Sequence, residues 1–468
     1  MGVSLRISEP PGAERSASPG PIRQFPLSYA QETMLFWDRL VRRSAVYNVP
    51  IALHISGRLD VAALQKTIKL ILTRHEVLRS HFLFTDHDPV QIVGPVPPDH
   101  ACLTVVDLSG VNERQEPLAV EHAVNREARR PFDLSKDVML RAVLFSLGKA
   151  EHILLLNMHH IAADGWSLGV LVRELSEGYL AFSQGKEPQL PALPIQYAGF
   201  AKWQRELLQG PERERLLVCW HEQLAGVPEF SELLPLDRPR PVRQKFDGAT
   251  IRTVLPEPFV TAMAELGQMR GATVFMVMLA AFQAFLQRYS GKNDIAVGVP
   301  VANRARTDFL NLIGCFINMV VIRGDLSVNA SFLDLLSHIR EASLAAFCHP
   351  ELPFSELVRY LRPQRSMGRT PFFQVQFVFQ NYPMPTIEWP GLNITRYQVD
   401  TATAKFDLSV LVEPKDGLEI GFEYNTQLFE PTTMKRLLEE YTFLLQRTVK
   451  HPETRISDFP VGTLACGA

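Results

Sequence analysis

Apolar positions in the first half of the chain alternate between helical and strand spacing. Apolar residues three and four positions apart predict a helix face, and apolar runs rich in β-branched residues predict strands. Asp60 stands directly before one such helix face, where its carboxylate is suited to cap the first turn. We predict helices over Ser28–Arg43, from Asp60 onward, over Val120–Arg129 and over Gly165–Tyr179, and strands over Tyr47–Gly57, Arg79–Phe84, Pro89–Val93, Leu140–Leu147 and His152–Met158.

A proline-rich stretch divides this pattern. Val227–Val242 holds four prolines in sixteen residues, and because proline fixes φ and lacks a donor, we predict an extended connection there. Helices and strands mix on both sides of it, so the fold class is predicted as α/β (α+β) with two lobes. Beyond the connection we predict helices over Pro258–Met269, Thr273–Tyr289, Phe332–Phe347 and Pro431–Lys450, and strands over Asp294–Val299, Gln374–Gln380, Phe406–Val412 and Leu418–Tyr424.

Composition narrows the class of protein. The 468 residues are 46% hydrophobic and 21% charged, which is typical of a globular chain and excludes disorder throughout. A formal net charge of −2 gives no electrostatic basis for nucleic acid or an anionic membrane as the main partner. Five cysteines without a CxxC pair indicate neither a disulfide framework nor a zinc motif. Since no apolar run has the length of a signal peptide or membrane span, we expect a cytoplasmic protein.

The densest chemical signal is Asn157–Ser167, which joins the end of a predicted strand to the start of a predicted helix. Neighbouring strand residues point to opposite faces, so only one of His159 and His160 faces a cavity. A neutral imidazole accepts a proton from an attacking amine near neutral pH. Asp164 can hold the turn, and Gly165 lets a ligand approach the backbone closely. These residue types in this order fit a site for proton transfer.

Two other interpretations of this segment stay open. The pair of histidines followed by Asp-Gly also fits a purely structural turn, and His159, His160 and Asp164 are residue types that bind metals. Diverging strand directions and the lack of a further ligand motif nearby disfavour a metal, so we predict none. The sequence holds no GxSxG nucleophile motif, and its cysteines lack local partner motifs. A histidine without a protein nucleophile favours direct transfer between two bound substrates.

Sequence blocks in order along the chain resemble those of nonribosomal peptide synthetase condensation domains, which belong to the chloramphenicol acetyltransferase-like superfamily. His159–Gly165 matches the family motif HHxxxDG, and the resemblance covers about residues 25–450. The other blocks are Ser28–Gln31 (SxAQxRLWF), Arg74–Phe82 (RHExLRTxF), Tyr197–Trp203 (YxDYAxW), Ile313–Asn318 with Arg323 (IGxFVNTxxxR), His349–Phe354 (HQDYPFE) and Arg369–Gln374 (SRNPLFQ).

The resemblance implies a V-shaped pair of lobes with a central tunnel, and a reaction between thioesters carried on phosphopantetheine arms. The acceptor amine attacks the donor thioester to give an amide and a free thiol, and no permanently bound cofactor is implied. His160 would act as general base or position the amine, and the Gly165 N–H would help to bind the oxyanion, which makes these two the catalytic residues. Lys405–Leu408 lies where relatives carry crossover segments between the lobes.

The resemblance also implies supporting residues. His159, Asp164 and Arg304 would be structural at the active site, with Arg304 as the partner of Asp164. We expect the blocks Arg74–Phe82 and Tyr197–Trp203 to hold the fold. The residues expected to line the tunnel or contact substrate are Ser28, Thr33, Trp166, Ser167 and Asn318.

Two departures from the opening block favour one subtype. Thr33 stands where relatives usually have arginine, and Leu35 where they have tryptophan. Replacing a long cation by threonine opens space and removes charge, which favours a starter condensation domain with an acyl donor on coenzyme A or on a carrier protein. A chain that begins at its own Met1 agrees with this. The alternative is an elongating domain that joins peptidyl and aminoacyl carrier-protein thioesters.

Several further expectations follow from the resemblance. Partners would be donor and acceptor carrier proteins, an adjoining adenylation domain of a parent synthetase and acyl-CoA, and the domain would be a monomer. We expect a flexible segment at 1–20, an N-terminal lobe with the HHxxxDG motif at 21–190 and a C-terminal lobe at 191–468. Two competing functions are a non-catalytic platform that docks carrier proteins or a tailoring enzyme, and a free-standing acyltransferase with soluble acceptors.

Overall fold

The computed structural model describes residues 23–459 except 42–43, 86–87, 111–116, 329, 365, 367 and 383. The predicted flexible segment 1–20 therefore lies outside the described residues. The helices are α1 (Tyr29–Leu40), α2 (Val61–Arg74), α3 (Asp99–Cys102), α4 (Pro117–Ala128), α5 (Gly165–Ser183), α6 (Tyr197–Leu207), α7 (Pro211–Leu224), α8 (Glu257–Gln268), α9 (Val274–Ser290), α10 (Phe332–Phe347), α11 (Phe354–Leu361) and α12 (Pro431–Lys450).

The strands form three sheets. They are β1 (Gln24–Pro26), β2 (Asn48–Ser56), β3 (Ser80–Phe84), β4 (Pro89–Val93), β5 (Thr104–Asp107), β6 (Leu140–Ser146), β7 (Glu151–His159), β8 (Gly248–Pro256), β9 (Asp294–Val301), β10 (Asn318–Asp325), β11 (Val375–Phe379), β12 (Asn393–Tyr397), β13 (Leu408–Pro414) and β14 (Gly417–Asn425). The mixed α/β class is confirmed, and so are the predicted helices and strands, with ends shifted by a few residues. Val227–Val242 contains neither helix nor strand, as predicted.

The five-stranded sheet has the order β12-β2-β7-β6-β5, with β7 at its centre. Side chains on one face of β7, among them Leu154 and Leu156, pack with α2 and α5 in one core. Those on the other face, Ile153 and Leu155, pack with α4 in a second core. Because both faces are covered, β7 is a nearly continuous apolar run rather than an alternating one. This buried strand ends at His159, so the HHxxxDG turn starts from a rigid position.

The six-stranded sheet has the order β10-β9-β11-β13-β14-β8. One face packs against α8, α9, α10 and α12 in the largest core of the described residues. The opposite face carries polar side chains, including Gln376, Ser409 and Glu423, which lie beside one another across β11, β13 and β14. A smaller sheet of β1, β4 and β3 completes the fold.

One strand is exchanged between the two large sheets. β12 follows β11 in the chain, but it pairs antiparallel with β2 of the five-stranded sheet, from Asn393 opposite Ser56 to Tyr397 opposite Ala52. The chain then returns to the six-stranded sheet at β13. The resemblance points to Lys405–Leu408 for a crossover, whereas the exchanged strand lies before it and Leu408 already belongs to β13. A short, half-exposed strand leaves little apolar pattern to predict it from.

Packing also crosses the predicted lobe boundary at residue 190. Phe200, Phe309 and Phe316 follow that boundary in sequence but belong to the core of the five-stranded sheet. The division into 21–190 and 191–468 therefore stays a prediction. Across the described part of the chain, no helix is both long enough and apolar enough to cross a membrane.

Candidate active site

The HHxxxDG turn leaves the central strand β7 with its two histidines in different surroundings. The His160 N–H donates to the Tyr47 carbonyl at 2.7 Å, which ties the strand end to the start of β2. His159 is buried between the rings of Tyr47 and Phe132, with centroids 5.9 and 5.8 Å away, and its Nδ1 accepts from the Ile161 N–H at 3.1 Å. His160 is only partly buried. The structure thus encloses the first histidine and leaves the second one accessible.

Both imidazoles are held neutral. Burial lowers the pKa of His159 to about 3, and the charges of His160, Lys405 and Arg141 act in the same direction. Burial and the Lys405 cation also lower the pKa of His160 to about 3, while hydrogen bonds to the carbonyls of His160 itself and of Ala163 oppose the shift. A neutral imidazole has one N–H and one lone pair. If the N–H of His160 is engaged by backbone carbonyls, the other ring nitrogen keeps its lone pair for a substrate.

Asp164 holds this turn against a segment of chain that lies about 150 residues away. It caps α5, because its Oδ1 accepts from the Ser167 N–H at 2.9 Å, and its Oδ2 accepts from the Phe316 N–H at 3.0 Å. Oδ1 also pairs with Arg304 Nη2 at 3.0 Å, and both side chains are 2% exposed. Arg304 in turn donates to the Leu312 carbonyl at 2.8 Å. One carboxylate therefore joins the motif turn, the start of α5 and the loop before β10.

Gly165 opens α5 and allows a close contact. A Cβ atom at this position would lie 2.9 Å from Cε1 of Tyr382, which is closer than such atoms approach. Glycine therefore lets the Tyr382 ring cover the first turn of the helix. The N–H groups of that turn carry the partial positive charge of a helix N-terminus, which favours an anion.

The five residues expected to line the tunnel or contact substrate have polar atoms that bond within the protein. Ser28 is buried, caps α1 and lies 2.8 Å from the Tyr197 hydroxyl. Thr33 is half-buried and donates to the Tyr29 carbonyl at 2.9 Å. These contacts place both residues at the start of α1, the helix of the opening block.

The other three residues of this group lie between chain segments. The Trp166 indole donates to the Leu310 carbonyl at 2.9 Å, and the buried Ser167 hydroxyl lies 2.7 Å from Asp164 Oδ1 and 2.9 Å from the Gly314 carbonyl. Asn318 donates to the carbonyls of Pro350 and Leu352 at 2.9 and 2.6 Å and accepts from the Phe354 N–H at 3.0 Å. No substrate is needed to satisfy these polar groups.

The block around Arg74 and His75 contacts α5 and the loop before β10, the two segments that Asp164 also joins. His75 Nε2 lies 2.9 Å from Glu174 of α5, and Arg74 Nε donates to the same carboxylate at 2.8 Å. The other ring nitrogen of His75 accepts from the Ile313 N–H at 3.3 Å. Burial raises the pKa of Glu174, but His75 and Arg74 outweigh it and hold that pKa below its usual value.

Three residues around the HHxxxDG turn were not assigned a chemical role from the sequence. Cys315 Sγ lies 3.9 Å from His160 Nδ1, and burial raises the pKa of its thiol well above the usual range, so it is not a thiolate. Lys405 places its ammonium 5.0 Å from the centre of the Tyr47 ring. Cys315 lies within the block Ile313–Asn318, and Lys405 opens the segment Lys405–Leu408. Position within these segments was the signal that could have identified both residues. Tyr382 carries no signal of this kind. Among the described residues, no group of three or more metal-binding side chains comes together.

Comparisons with known proteins agree with one another. The family model described as Condensation domain matches residues 22–461. One of the linear gramicidin synthase proteins of Brevibacillus parabrevis is 39% identical over 442 residues, which are 94% of this chain and 6% of that protein. The chain therefore spans only a small part of the length of this relative.

Solved structures share the fold. The X-domain from teicoplanin biosynthesis matches with a TM-score of 0.83 at 27% identity, over 96% of this chain and 100% of that chain. A mutant of the starter condensation domain of rhizomide synthetase, in complex with C8-CoA, matches with a TM-score of 0.80 at 19% identity, over 93% and 97% of the two chains. These likenesses confirm the fold class that the sequence predicts.

Proposed function

Because the chain belongs to the condensation-domain family of nonribosomal peptide synthetases, we propose that it joins a thioester-bound acyl donor to the amine of an aminoacyl carrier protein. The observation that carries the proposal is His160. It is a neutral, partly accessible imidazole, fixed by its backbone at the end of a buried strand and beside the N-terminus of α5. A group held in this way can contact an amine in a defined direction.

The reaction needs little covalent chemistry from the protein. The amine nitrogen attacks the thioester carbonyl, the C–N bond forms, and the carbonyl electrons move to oxygen. The C–S bond then breaks, and the amine proton passes to the departing sulfur, so that the products are an amide and a free thiol. Gly165 would donate its N–H to the oxyanion, at the positive end of the α5 dipole.

The pKa of His160 bears on its role. A general base works best when its pKa lies near the working pH, whereas that of His160 is lowered to about 3. An imidazole of this kind binds a proton weakly but still accepts a hydrogen bond. We therefore assign His160 a positioning role: it orients the neutral amine and accepts a hydrogen bond from the amine proton that passes to sulfur. His159, Asp164 and Arg304 are the structural residues around it.

The proposed partners follow from the reaction. Donor and acceptor carrier proteins would present phosphopantetheine-linked substrates, and an adenylation domain of the parent synthetase would adjoin the chain. We propose a starter subtype, with a fatty acyl donor on coenzyme A or a carrier protein, because Thr33 stands in α1 where the opening block of relatives usually has arginine. An elongating domain is the alternative. A monomer and a cytoplasmic location belong to the same proposal.

The test measures amide formation between loaded carrier proteins by mass spectrometry of the acceptor carrier. We expect His160→Ala to lower turnover by about 100-fold or more. The matched control is His122→Ala, since His122 lies on the exposed face of α4, and it should leave turnover unchanged. Equal turnover in wild type and His160→Ala would refute the role of His160.

The competing functions give different results in the same assay. A docking platform binds carriers but yields no amide with any substrate, and a free-standing acyltransferase turns over a soluble amine without a carrier. For the subtype, a series of acyl-CoA donors is compared with an aminoacyl carrier donor. Activity only with the aminoacyl donor would reject the starter assignment.

A further inference from the structure

Lys405 is an interior cation on a rigidly held segment. The Ala404 N–H donates to the Phe246 carbonyl at 2.9 Å, and the Gln244 side chain donates to the Lys405 carbonyl at 2.7 Å. Arg240 Nη1 donates to Asp407 at 2.8 Å on the other side of the lysine. The segment around Lys405 is thus bonded to residues 240–246, which form the end of the proline-rich connection and the chain directly after it. This fixes the point from which the lysine side chain extends.

The ammonium lies over the residue that anchors His160. Lys405 Nζ is 5.0 Å from the centre of the Tyr47 ring, within range of a cation–π interaction. The Tyr47 carbonyl is the group that accepts the His160 N–H, and the Tyr47 ring is also a neighbour of His159. In the part of the chain that the structure describes, Lys405 belongs to no ion pair within 4.0 Å. Its charge is therefore not neutralised by direct contact.

A carboxylate lies behind this cation at longer range. Gln376 Nε2 donates to Ser409 Oγ at 2.9 Å, and Ser409 Oγ donates to Glu423 Oε1 at 3.2 Å, in a row across the polar face of the six-stranded sheet. Burial raises the pKa of Glu423 and lowers that of Lys405, and each partner opposes the shift of the other. The row thus favours the charged form of the lysine without touching it.

Three groups at the reaction centre respond to the same charge. The Lys405 cation acts to lower the pKa of His159, His160 and Cys315. Burial is the larger effect for each of them; it also lowers the pKa of the two histidines, but it raises that of the thiol. These residues lie on two different segments, and Cys315 Sγ is 3.9 Å from His160 Nδ1. The further titratable groups around His160 are Tyr47, at its backbone anchor, and Asp164, which is paired with Arg304.

We propose that Lys405 is a positioning residue of the condensation reaction, whose ammonium, held over Tyr47 and backed by Glu423, sets a positive potential at His160. This inference rests on the proposed function. An amine that enters a positive potential loses its extra proton more easily, and only the neutral amine attacks a thioester. The same potential stabilises the oxyanion that forms next. Lys405 would then favour the deprotonated amine before the attack and stabilise the oxyanion intermediate after it.

The direct test is a titration of the His160 imidazole by NMR on isotope-labelled histidine, with the signal assigned through His160→Gln. Removal of a nearby like charge shifts a pKa by about 1 to 3 units. We therefore expect Lys405→Met to raise the His160 midpoint by at least about 1 unit, and Lys405→Arg to keep it within about 0.5 unit of wild type. The surface control, Lys202→Met, should not move it.

Glu423→Gln supplies a control variant for the titration. Because burial raises the pKa of Glu423, its carboxyl is already neutral at the pH where His160 titrates. Glu423→Gln should therefore leave the His160 midpoint within about 0.3 unit of wild type, whereas a general structural disturbance would move it in both variants. If Lys405→Met does not fold, the double variant Lys405→Met/Glu423→Gln removes both charges and leaves no buried carboxylate alone. It should show the same rise.

Kinetics with loaded carriers give the second readout. We expect Lys405→Met to lower kcat by about 10-fold or more, with KM for the acceptor carrier within about 3-fold of wild type. A His160 midpoint that moves by less than about 0.3 unit in Lys405→Met overturns the inference. The titration needs no turnover, so it tests the effect of Lys405 on His160 even if the chain makes no amide. Absence of amide formation would instead refute the proposed function.

Discussion

The pairing of Asp164 with Arg304 offers a quantitative test of how the site is held. Asp164→Ala removes four contacts at once: the Ser167 N–H and hydroxyl, the Phe316 N–H and the Arg304 guanidinium. Loss of a helix cap costs about 1 kcal/mol, and breaking a buried ion pair costs about 3 to 5 kcal/mol because one charge stays buried alone. Since these contributions overlap in one carboxylate, we expect a loss of about 4 kcal/mol.

Arg304→Met should cost less, about 2 to 3 kcal/mol. The carboxylate of Asp164 would keep its neutral donors, Ser167 and Phe316, whereas the arginine loses its only carboxylate partner in the described structure when Asp164 is replaced. The double variant should be more stable than the sum of the two single changes predicts, by at least about 1.5 kcal/mol. That difference measures the coupling of the pair.

The assay is urea denaturation followed by tryptophan fluorescence. Trp166 reports on the junction directly, because its indole donates to the Leu310 carbonyl beside the pair. The matched control is Asp308→Ala, which breaks an exposed ion pair with Arg306 and should cost less than about 1 kcal/mol. Additivity of the two buried changes within about 0.5 kcal/mol would refute the reasoning, because independent sites behave in that way.

Three further changes test other parts of the site. Gly165→Ala brings a Cβ within 2.9 Å of Tyr382, so amide formation should fall about 10- to 100-fold and recover in part when Tyr382→Leu is added; no recovery would contradict the steric cause. Glu174 has a lowered pKa, so its contribution to stability is present above its unfolded pKa of about 4.3 and is lost as pH falls toward the lower folded value. Urea midpoints should therefore show wild type more stable than Glu174→Gln by about 3 kcal/mol at pH 7 and by much less at pH 3, and a gap independent of pH would contradict this. Ser28→Ala removes the cap of α1 and the bond to the Tyr197 hydroxyl, so the urea midpoint should fall by the equivalent of about 1 to 2 kcal/mol at constant m-value, and an unchanged midpoint would contradict the capping role.

Local pattern was enough to predict much of the fold. The helix after Asp60 is capped as expected, with the carboxylate accepting the Ala63 N–H at 3.0 Å, because capping depends only on nearby residues. The buried strand β7 was equally clear from its apolar run. The exchanged strand β12 was missed, since its partner β2 lies more than 330 residues earlier and its own residues are mostly polar. Strand exchange is a property of the tertiary structure and leaves little local trace.

In the site, too, local features could be predicted from the sequence, whereas long-range contacts could not. The motif His159–Gly165 could be found by its spacing, because the turn between a strand and a helix is local. The contact of Gly165 with Tyr382 and the position of Lys405 over Tyr47 join residues more than 200 positions apart. No spacing rule relates such residues, so only the folded structure brings them together.

Most residues of the HHxxxDG motif have a structural role and take no direct part in a reaction. Ile161, Ala162 and Ala163 are fully buried, His159 is enclosed by aromatic rings, and Asp164 is saturated with hydrogen bonds. Among the seven motif residues, only His160 and Gly165 are not fully buried. In the proposed reaction the thioester is already activated, so orientation and a favourable potential would supply most of what the reaction needs. The same distribution explains why a cation such as Lys405 can matter. In the proposed reaction, the charge of Lys405 near the single partly exposed imidazole would favour an amine that arrives neutral.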